Sequence, residues 1–260
     1  MLSKLDGMDV SLDEALAVAL QAADAARAAI MARYRSGFTV SWKADRSEVT
    51  EADREAEQAI REVIRASFPD HGISGEELGS DGAGRELTWL VDPIDGTSSF
   101  VHRIPLFSTL IALCRGGQPI AAVVDFPALD RRFHATLGGG AWEGSARLQL
   151  AEGFDPRTDL VCSGDYSQFE DTGRIELHSR LQREARLFRT YTDAHGHCLV
   201  ASGSAALMVD PDLKPWDLAA PSLIVREAGG QMLQRAETNG HVLVVSGTKS
   251  AVAWLASRLD

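Results

Sequence analysis

Two carboxylates and a hydroxyl stand at the end of an apolar run in the eleven residues from Leu90 to Phe100, Leu-Val-Asp-Pro-Ile-Asp-Gly-Thr-Ser-Ser-Phe. Thr88 to Val91 reads as a buried strand. Pro93 has no N–H to give to a ladder, so the spacing predicts that the strand stops near Asp92 and the backbone turns there. Asp92 and Asp95 would then leave the sheet edge into one crevice. Their oxygens suit a hard cation, while Gly96 and Thr97 offer close backbone approach and free N–H groups to an anion. That pairing is the chemistry of a metal phosphate. A strand followed by an ordinary Asp-Gly turn is the other reading of the same residues.

Further acids and hydroxyls lie where loops would present them. Asp53 follows Thr50 at the start of a helical pattern and fits the acidic third position of a capping box. Glu76 and Glu77 follow Gly75 in a loop, where adjacent acids are commonly solvated. Asp217, after Lys214-Pro-Trp, makes a good local N-cap. Ser163-Gly164 leaves a strand and could meet a phosphate oxygen or form a plain turn. Asp193 and Asp210 could present carboxylates to a cationic amine or imidazole, or serve as a helix cap and a turn residue. His195 and His197 are two apart and face apart on a helix, so a shared metal is not expected. Lys43 begins a charged turn and reads as solvated.

The elements that must hold these groups follow from period and punctuation. Ser11-Leu-Asp-Glu14 has the form of a capping box, and the Ala- and Leu-rich stretch after it is helical to about Tyr34, stopped by Gly37. Phe38 to Lys43 alternates as a short strand. A second helix runs from about Glu51 to Ser67 with Ala52, Ala56, Ala59, Ile60, Val63 and Ile64 inward, and Pro69 ends it. Ile73 and Ser74 form a short strand, and Ser80 to Gly84 reads as a mobile surface loop. Ser108–Cys114 and Pro119–Phe126 form a hairpin through Arg115-Gly-Gly-Gln118. Arg131–Leu137 and Arg147–Leu150 extend the sheet around a Gly138–Gly140 turn, which lacks the helix and lysine of a phosphate loop.

The second half opens near Asp155-Pro156. Strands are expected at Asp159–Ser163, Leu187–Thr190, Ala205–Val209, Gln231–Gln234 and Val242–Val245, with helices over Glu170–Glu184, Asp193–Ala201, Leu218–Ala228 and Thr248–Leu259. Pro221 falls in or just past the first turn of one of them. Helices and strands alternate with hairpins mixed in, which predicts a layered α/β (α+β) protein. We expect one catalytic domain over residues 1–260, with approximate lobes 1–150 and 151–260.

Composition limits the partners. The 260 residues are 45% apolar, enough for a substantial core, and carry a formal charge of −11. That charge argues against a nucleic-acid or anionic-membrane surface, since no basic face would displace counterions from phosphates. The three cysteines, Cys114, Cys162 and Cys198, are scattered and suit a reducing compartment. The N-terminal residues show no secretory pattern, and no run approaches the roughly 18 apolar residues of a membrane span, so a cytoplasmic location is expected.

Asp92-Pro-Ile-Asp-Gly-Thr97, Val49-Thr-Glu-Ala-Asp53, Gly75-Glu-Glu77 and Pro215-Trp-Asp-Leu-Ala-Ala220 with Glu227-Ala-Gly-Gly230 resemble the signatures of the inositol monophosphatase superfamily, in the family's order. The spacing differs from haloacid-dehalogenase phosphatases, whose two aspartates are separated by one residue. The resemblance implies alternating helix and sheet layers, a homodimer and a small phosphate-monoester substrate. It also implies two or three Mg²⁺ ions held by Glu76, Asp92, the Ile94 carbonyl, Asp95 and Asp217. An all-oxygen set of converging acids suits magnesium better than zinc. By the same resemblance Glu76 and Thr97 orient the attacking water, Asp53 holds Thr97, and Gly96, Thr97 and Ser163 meet the phosphate. Arg189-Thr-Tyr-Thr-Asp-Ala-His-Gly-His197 is similar to the histidinol-phosphatase branch, with Thr192 and His195 in place of that branch's Gly and Tyr. That points to L-histidinol phosphate, in histidine biosynthesis. An inositol-1-phosphate or broad sugar-phosphate phosphatase is the alternative, and a non-catalytic metal- or phosphate-binding protein is a second.

Overall fold

The structure is a computed structural model that describes residues 10–43, 48–82, 84–236 and 241–259. The expectations for the N-terminal residues 1–9 and for the turn after Lys43 lie outside the described residues.

Ser11 caps α1 (Leu12–Ser36), its hydroxyl accepting from Glu14 N at 3.4 Å, and Gly37 closes it. β1 (Val40–Trp42) pairs antiparallel with β2 (Glu48–Thr50), and Thr50 opens α2 (Glu51–Ser67). Then come β3 (Gly72–Gly75), β4 (Gly79–Asp81), β5 (Leu87–Asp95), the short α3 (Thr97–Val101), and a meander of β6 (Ser108–Arg115), β7 (Gln118–Phe126), β8 (Arg131–Thr136), β9 (Gly140–Glu143) and β10 (Ala146–Arg147). The second half holds β11 (Leu160–Ser163), α4 (Tyr166–Asp171), α5 (Ile175–Glu184), β12 (Leu187–Thr190), α6 (Asp193–Ala201), β13 (Leu207–Asp210), α7 (Pro215–Glu227), β14 (Gln231–Ala236), β15 (Val242–Gly247) and α8 (Lys249–Ala256).

Period-two alternation sorts the strand residues into layers. Ile111 and Leu113 face α1 and α2, whereas Leu110, Ala112 and Cys114 face α6 and α7. In the second sheet Met208 faces that same middle helix layer, while Leu207 and Val209 meet α5 and α8. The result is five layers: helices, an eight-stranded sheet, helices, a five-stranded sheet, helices. The sheet orders are β10-β9-β8-β7-β6-β5-β3-β4 and β12-β11-β13-β15-β14. The expected layered α/β class is what the chain adopts.

Several local expectations change. β5 does not stop at Asp92 but runs through Pro93 to Asp95, with a register shift against β6 between Asp92 and Asp95. A bulge is where a central strand can accept a proline. Ser80 and its neighbours form β4 rather than a loop, paired with β3. Glu170–Glu184 is two helices, broken between Asp171 and Ile175. Of Arg147–Leu150 only Arg147 is in a strand, because β9 fills the space after the glycine turn. That turn does bind an anion, but the anion is the chain's own: Gly138 N and Gly140 N each donate at 2.9 Å to the Glu227 carboxylate at the end of α7. By length and composition alone α1 is apolar enough to cross a membrane, with mean hydropathy 1.4. Its Ala15, Ala19, Ala22, Ala26 and Ile30 are fully buried within the fold.

Candidate active site

The bulge in β5 turns two successive acids toward the same place. Asp92 and Asp95 are 2% and 6% exposed. Asp92 accepts from Ile94 N at 3.0 Å, which folds the bulge onto its own carboxylate. Asp95 accepts from the Ser108 hydroxyl at 2.8 Å and from Ala194 N, in the first turn of α6, at 3.0 Å. That second bond ties the first half of the chain to the second. Gly96 follows with φ +76°, a left-handed conformation that glycine adopts at little cost. A Cβ there would also lie 3.0 Å from an Asp193 carboxylate oxygen.

Thr97 begins α3. Its hydroxyl has one proton and two acceptors, the Ile94 carbonyl at 3.0 Å and Asp53 Oδ1 at 3.4 Å. Asp53 is the third residue of α2, and its other oxygen accepts from both Thr50 N and the Thr50 hydroxyl at 2.7 Å each. The capping role and the contact to Thr97 therefore hold together. Burial, opposed by the Thr50 hydrogen bonds, pushes the Asp53 carboxyl up to about 6.

Glu76 enters from the loop after β3. It is paired with Lys43 Nζ at 2.7 Å, and the same ammonium pairs with Glu77. Lys43 is therefore not the solvated lysine that its turn suggested, and the two carboxylates raise its pKa despite its burial. Asp217 enters from α7. It is not the N-cap but the third helical residue, accepting from Lys214 N at 2.9 Å.

The charges of these acids act on one another. Burial first, then the Glu76, Asp95 and Asp217 carboxylates, hold Asp92 well above the usual carboxylate range. Burial, Asp193 and Asp217 do the same to Asp95. Asp217 is pushed up to about 7 by burial, against its backbone hydrogen bond and with the Glu76 and Asp193 charges adding to the rise. Among the described residues no three such side chains form a closed ligand cage. Glu76 is instead tied to Lys43 and Asp217 to the Lys214 amide. The donor set is nonetheless all oxygen, and carboxylates pressed this closely suit a hard divalent cation.

The cleft beside them has a volume of about 910 Å³ and is lined by Glu76, Gly96, Thr97, Trp42, Tyr191 and Asp193, among others. Asp193 stands on its wall. It is the first residue of α6 rather than its cap, with φ +62° and its carboxylate held by the Thr192 hydroxyl at 2.6 Å. Asp210 is not on the wall: it is fully buried, with Oδ2 lacking a hydrogen-bond partner. Burial and the Asp193 charge hold its carboxyl well above the usual range. Ser163 is also fully buried, and its hydroxyl donates to the Gly164 carbonyl at 3.0 Å, so it offers none to the cleft. His195 and His197 face apart as expected, His197 against the Ser246 hydroxyl at 2.7 Å and His195 edge-on to Phe126 and Tyr191.

Sequence reasoning missed Lys43, Glu57 and Arg61. Glu57 and Arg61 left a signal, since a charged pair at i and i+4 beside the apolar stripe of α2 falls on its inner face. Lys43 left none.

Three comparisons bear on this geometry. Residues 11–259 match the inositol monophosphatase family. A histidinol-phosphatase of Chlorobaculum parvum is 40% identical over 75% of this chain and 76% of that protein. An inositol-1-monophosphatase of Rhizobium meliloti is 36% identical over 74% of this chain and 73% of its own length. A solved structure of the extragenic suppressor protein suhB from Bartonella henselae superposes with TM-score 0.84 at 29% identity, covering 93% of this chain and 96% of that one. A bulged strand bearing two acids, a threonine held by a helix-borne aspartate, and a match spanning nearly every described residue lead to one conclusion: the chain belongs to the inositol monophosphatase family.

Proposed function

We propose that this phosphatase hydrolyses L-histidinol phosphate to L-histidinol and inorganic phosphate, in the cytoplasm, as a step of histidine biosynthesis. The observation that carries the reading is the mutual approach of Glu76, Asp92, Asp95 and Asp217 beside Thr97. Burial and the neighbouring carboxylates raise Asp92, Asp95 and Asp217, so a cation there would relieve their charge. Two or three Mg²⁺ ions are the proposed cofactor, and Glu76, Asp92, Asp95, Asp217 and the Ile94 carbonyl are the residues that would hold them.

Magnesium, when bound, supplies positive charge for the phosphate oxygens and acidifies water. The chain's own residues do the rest. Glu76 and Thr97 orient the attacking water, and Glu76 takes its proton as the new P–O bond forms; the ester P–O bond breaks and the departing oxygen takes a proton from solvent water, leaving L-histidinol. Asp53 keeps Thr97 in place. Gly96 N and Thr97 N donate to phosphate oxygens in the first turn of α3, and that preorganised charge stabilises the transition state. No phosphoenzyme forms.

The amino-alcohol part of the substrate would enter the cleft past Asp193. That carboxylate is raised by burial and by Asp165, so an ammonium or imidazolium relieves its charge. Asp210 is fully buried and makes no contact with the cleft. A polyol phosphate would offer Asp193 only neutral hydroxyl donors, without the charge of a cationic amine. The identity to a histidinol-phosphatase supports the same choice. A homodimer is the proposed assembly, read by sedimentation equilibrium.

Inorganic phosphate released from L-histidinol phosphate and from inositol 1-phosphate, each with Mg²⁺, tests the proposal. The histidinol ester should turn over faster. Faster release from the inositol ester overturns the substrate, and no release from any monoester points to a non-catalytic binder.

A further inference from the structure

α2 carries a buried polar line beside its apolar one. Asp53, Glu57 and Arg61 are four apart, so they stack on one face of the helix, and they are 2%, 0% and 3% exposed. Burying a carboxylate and a guanidinium is costly unless their oxygens and N–H groups find partners. Here the partners belong to one loop. Glu57 Oε2 accepts from Glu77 N at 2.7 Å and from Leu78 N at 3.2 Å, and Oε1 accepts from Arg61 Nε at 2.8 Å. Arg61 Nη2 donates to the Gly79 carbonyl. On the other side of Glu76, Gly75 packs so closely that an added methyl would lie 2.0 Å from Glu57 Oε1. The loop is therefore fixed before and after Glu76 by two side chains that do not line the cleft.

We propose that Glu57, braced by Arg61, is a positioning residue that sets where the Glu76 carboxylate stands. α2 then places both members of the water-orienting pair, Thr97 through Asp53 and Glu76 through Glu57. This rests on the roles of Glu76 and Thr97 proposed above. A charged acceptor serving two backbone amides holds them more firmly than a neutral one, and the helix is a rigid support for a loop that must not drift.

Four variants decide it: Glu57→Gln, Arg61→Lys, Glu76→Gln and the Glu57→Gln/Glu76→Gln double. In metal-free protein, Glu57→Gln should speed hydrogen exchange at the Glu77 and Leu78 amides by roughly tenfold or more, leaving amides of β6 unchanged. In the enzyme it should lower kcat and raise the Mg²⁺ concentration for half-maximal rate by roughly tenfold each, with KM within about twofold. Added to Glu76→Gln it should change the Mg²⁺ response no further, because both act through one carboxylate. A purely structural Glu57 would lower Tm and leave the Mg²⁺ response alone. If Glu57→Gln does not fold, Arg61→Lys decides by the same readouts at smaller amplitude, since it keeps the charge but loses the fork to Glu57 and Gly79. Native exchange and native Mg²⁺ response in the folded variant, while Glu76→Gln loses that response, overturn the proposal. A Glu76→Gln enzyme with wild-type Mg²⁺ response sinks instead the role of Glu76 itself.

Discussion

Asp193 combines two local costs at one position. Its φ of +62° is a left-handed conformation that costs a residue with a Cβ about 1–2 kcal/mol, and its carboxylate is half-buried near Asp165. Both are tolerable if the charge meets a cation. Asp193→Asn should therefore lower the preference for L-histidinol phosphate over inositol 1-phosphate, as a ratio of kcat/KM, by roughly ten- to hundredfold. An unchanged ratio means that Asp193 does not read the substrate. Glu76→Gln should reduce kcat by roughly a hundredfold or more at saturating Mg²⁺ with little change in Tm, since Glu76 is partly exposed and its loss leaves no buried charge unpaired. At this scale the sequence was informative where a residue sits inside a distinctive string, as Asp92, Asp95, Glu76 and Asp217 do. It was silent where the partner is distant: Lys43 meets Glu76 across 33 positions, and no local pattern encodes that pairing. Asp210 was legible as an acid but not as a buried one.

Among the elements, α2 does most to organise the site, and its first turn can be tested apart from its packing. Asp53→Ala removes both the cap to Thr50 and the contact to Thr97, and should cost about 1–2 kcal/mol in urea unfolding together with a large loss of turnover. Asp53→Asn keeps an acceptor for Thr50 and should recover much of that stability, but not the turnover, because an amide holds the Thr97 hydroxyl less strongly than a carboxylate. Turnover that recovers together with stability in Asp53→Asn would mean that Asp53 acts on catalysis only through the cap. Most helix and strand positions were readable from period and punctuation, α1 and α2 almost to the residue. β5 was not, because whether a proline ends a strand or sits in a bulge depends on the strand beside it. Asp217 and Asp193 were placed one to three residues from their observed helix positions, since a carboxylate can serve as N-cap or as third residue with the same neighbours.

For the whole molecule the buried acids make stability depend on pH, and with the proposed metal site on magnesium as well. Asp92, Asp95 and Asp210 are held well above the usual carboxylate range and Asp217 is raised to about 7, chiefly by burial. A carboxylate with a raised folded pKa stabilises the fold below its unfolded value of about 4, and loses that contribution as pH climbs through the folded value. In EDTA, Tm should therefore carry a falling contribution from these groups between about pH 5 and about pH 8. If Mg²⁺ is held as proposed, it would bind only the deprotonated acids, and its increment in Tm should be the larger at about pH 8. An increment as large at about pH 5 would place magnesium elsewhere. Residues 1–150 expressed alone should fail to give a stable monomer, because they leave the α6/α7-facing side of the eight-stranded sheet bare and lack Asp217. The layered class could be read from the alternation of patterns, whereas the two strand orders could not, since pairing between distant strands has no signature in either strand alone. α1 has a further consequence for how the chain is made. α2 follows it closely, but α1 is translated roughly 70 to 90 positions before the β6–β7 hairpin that it also packs on, so a strongly apolar stretch emerges from the ribosome with only part of its cover. Nascent chains of this protein should lean on ribosome-associated chaperones until that hairpin is out, and stalling translation before Phe126 should leave them trapped in aggregates.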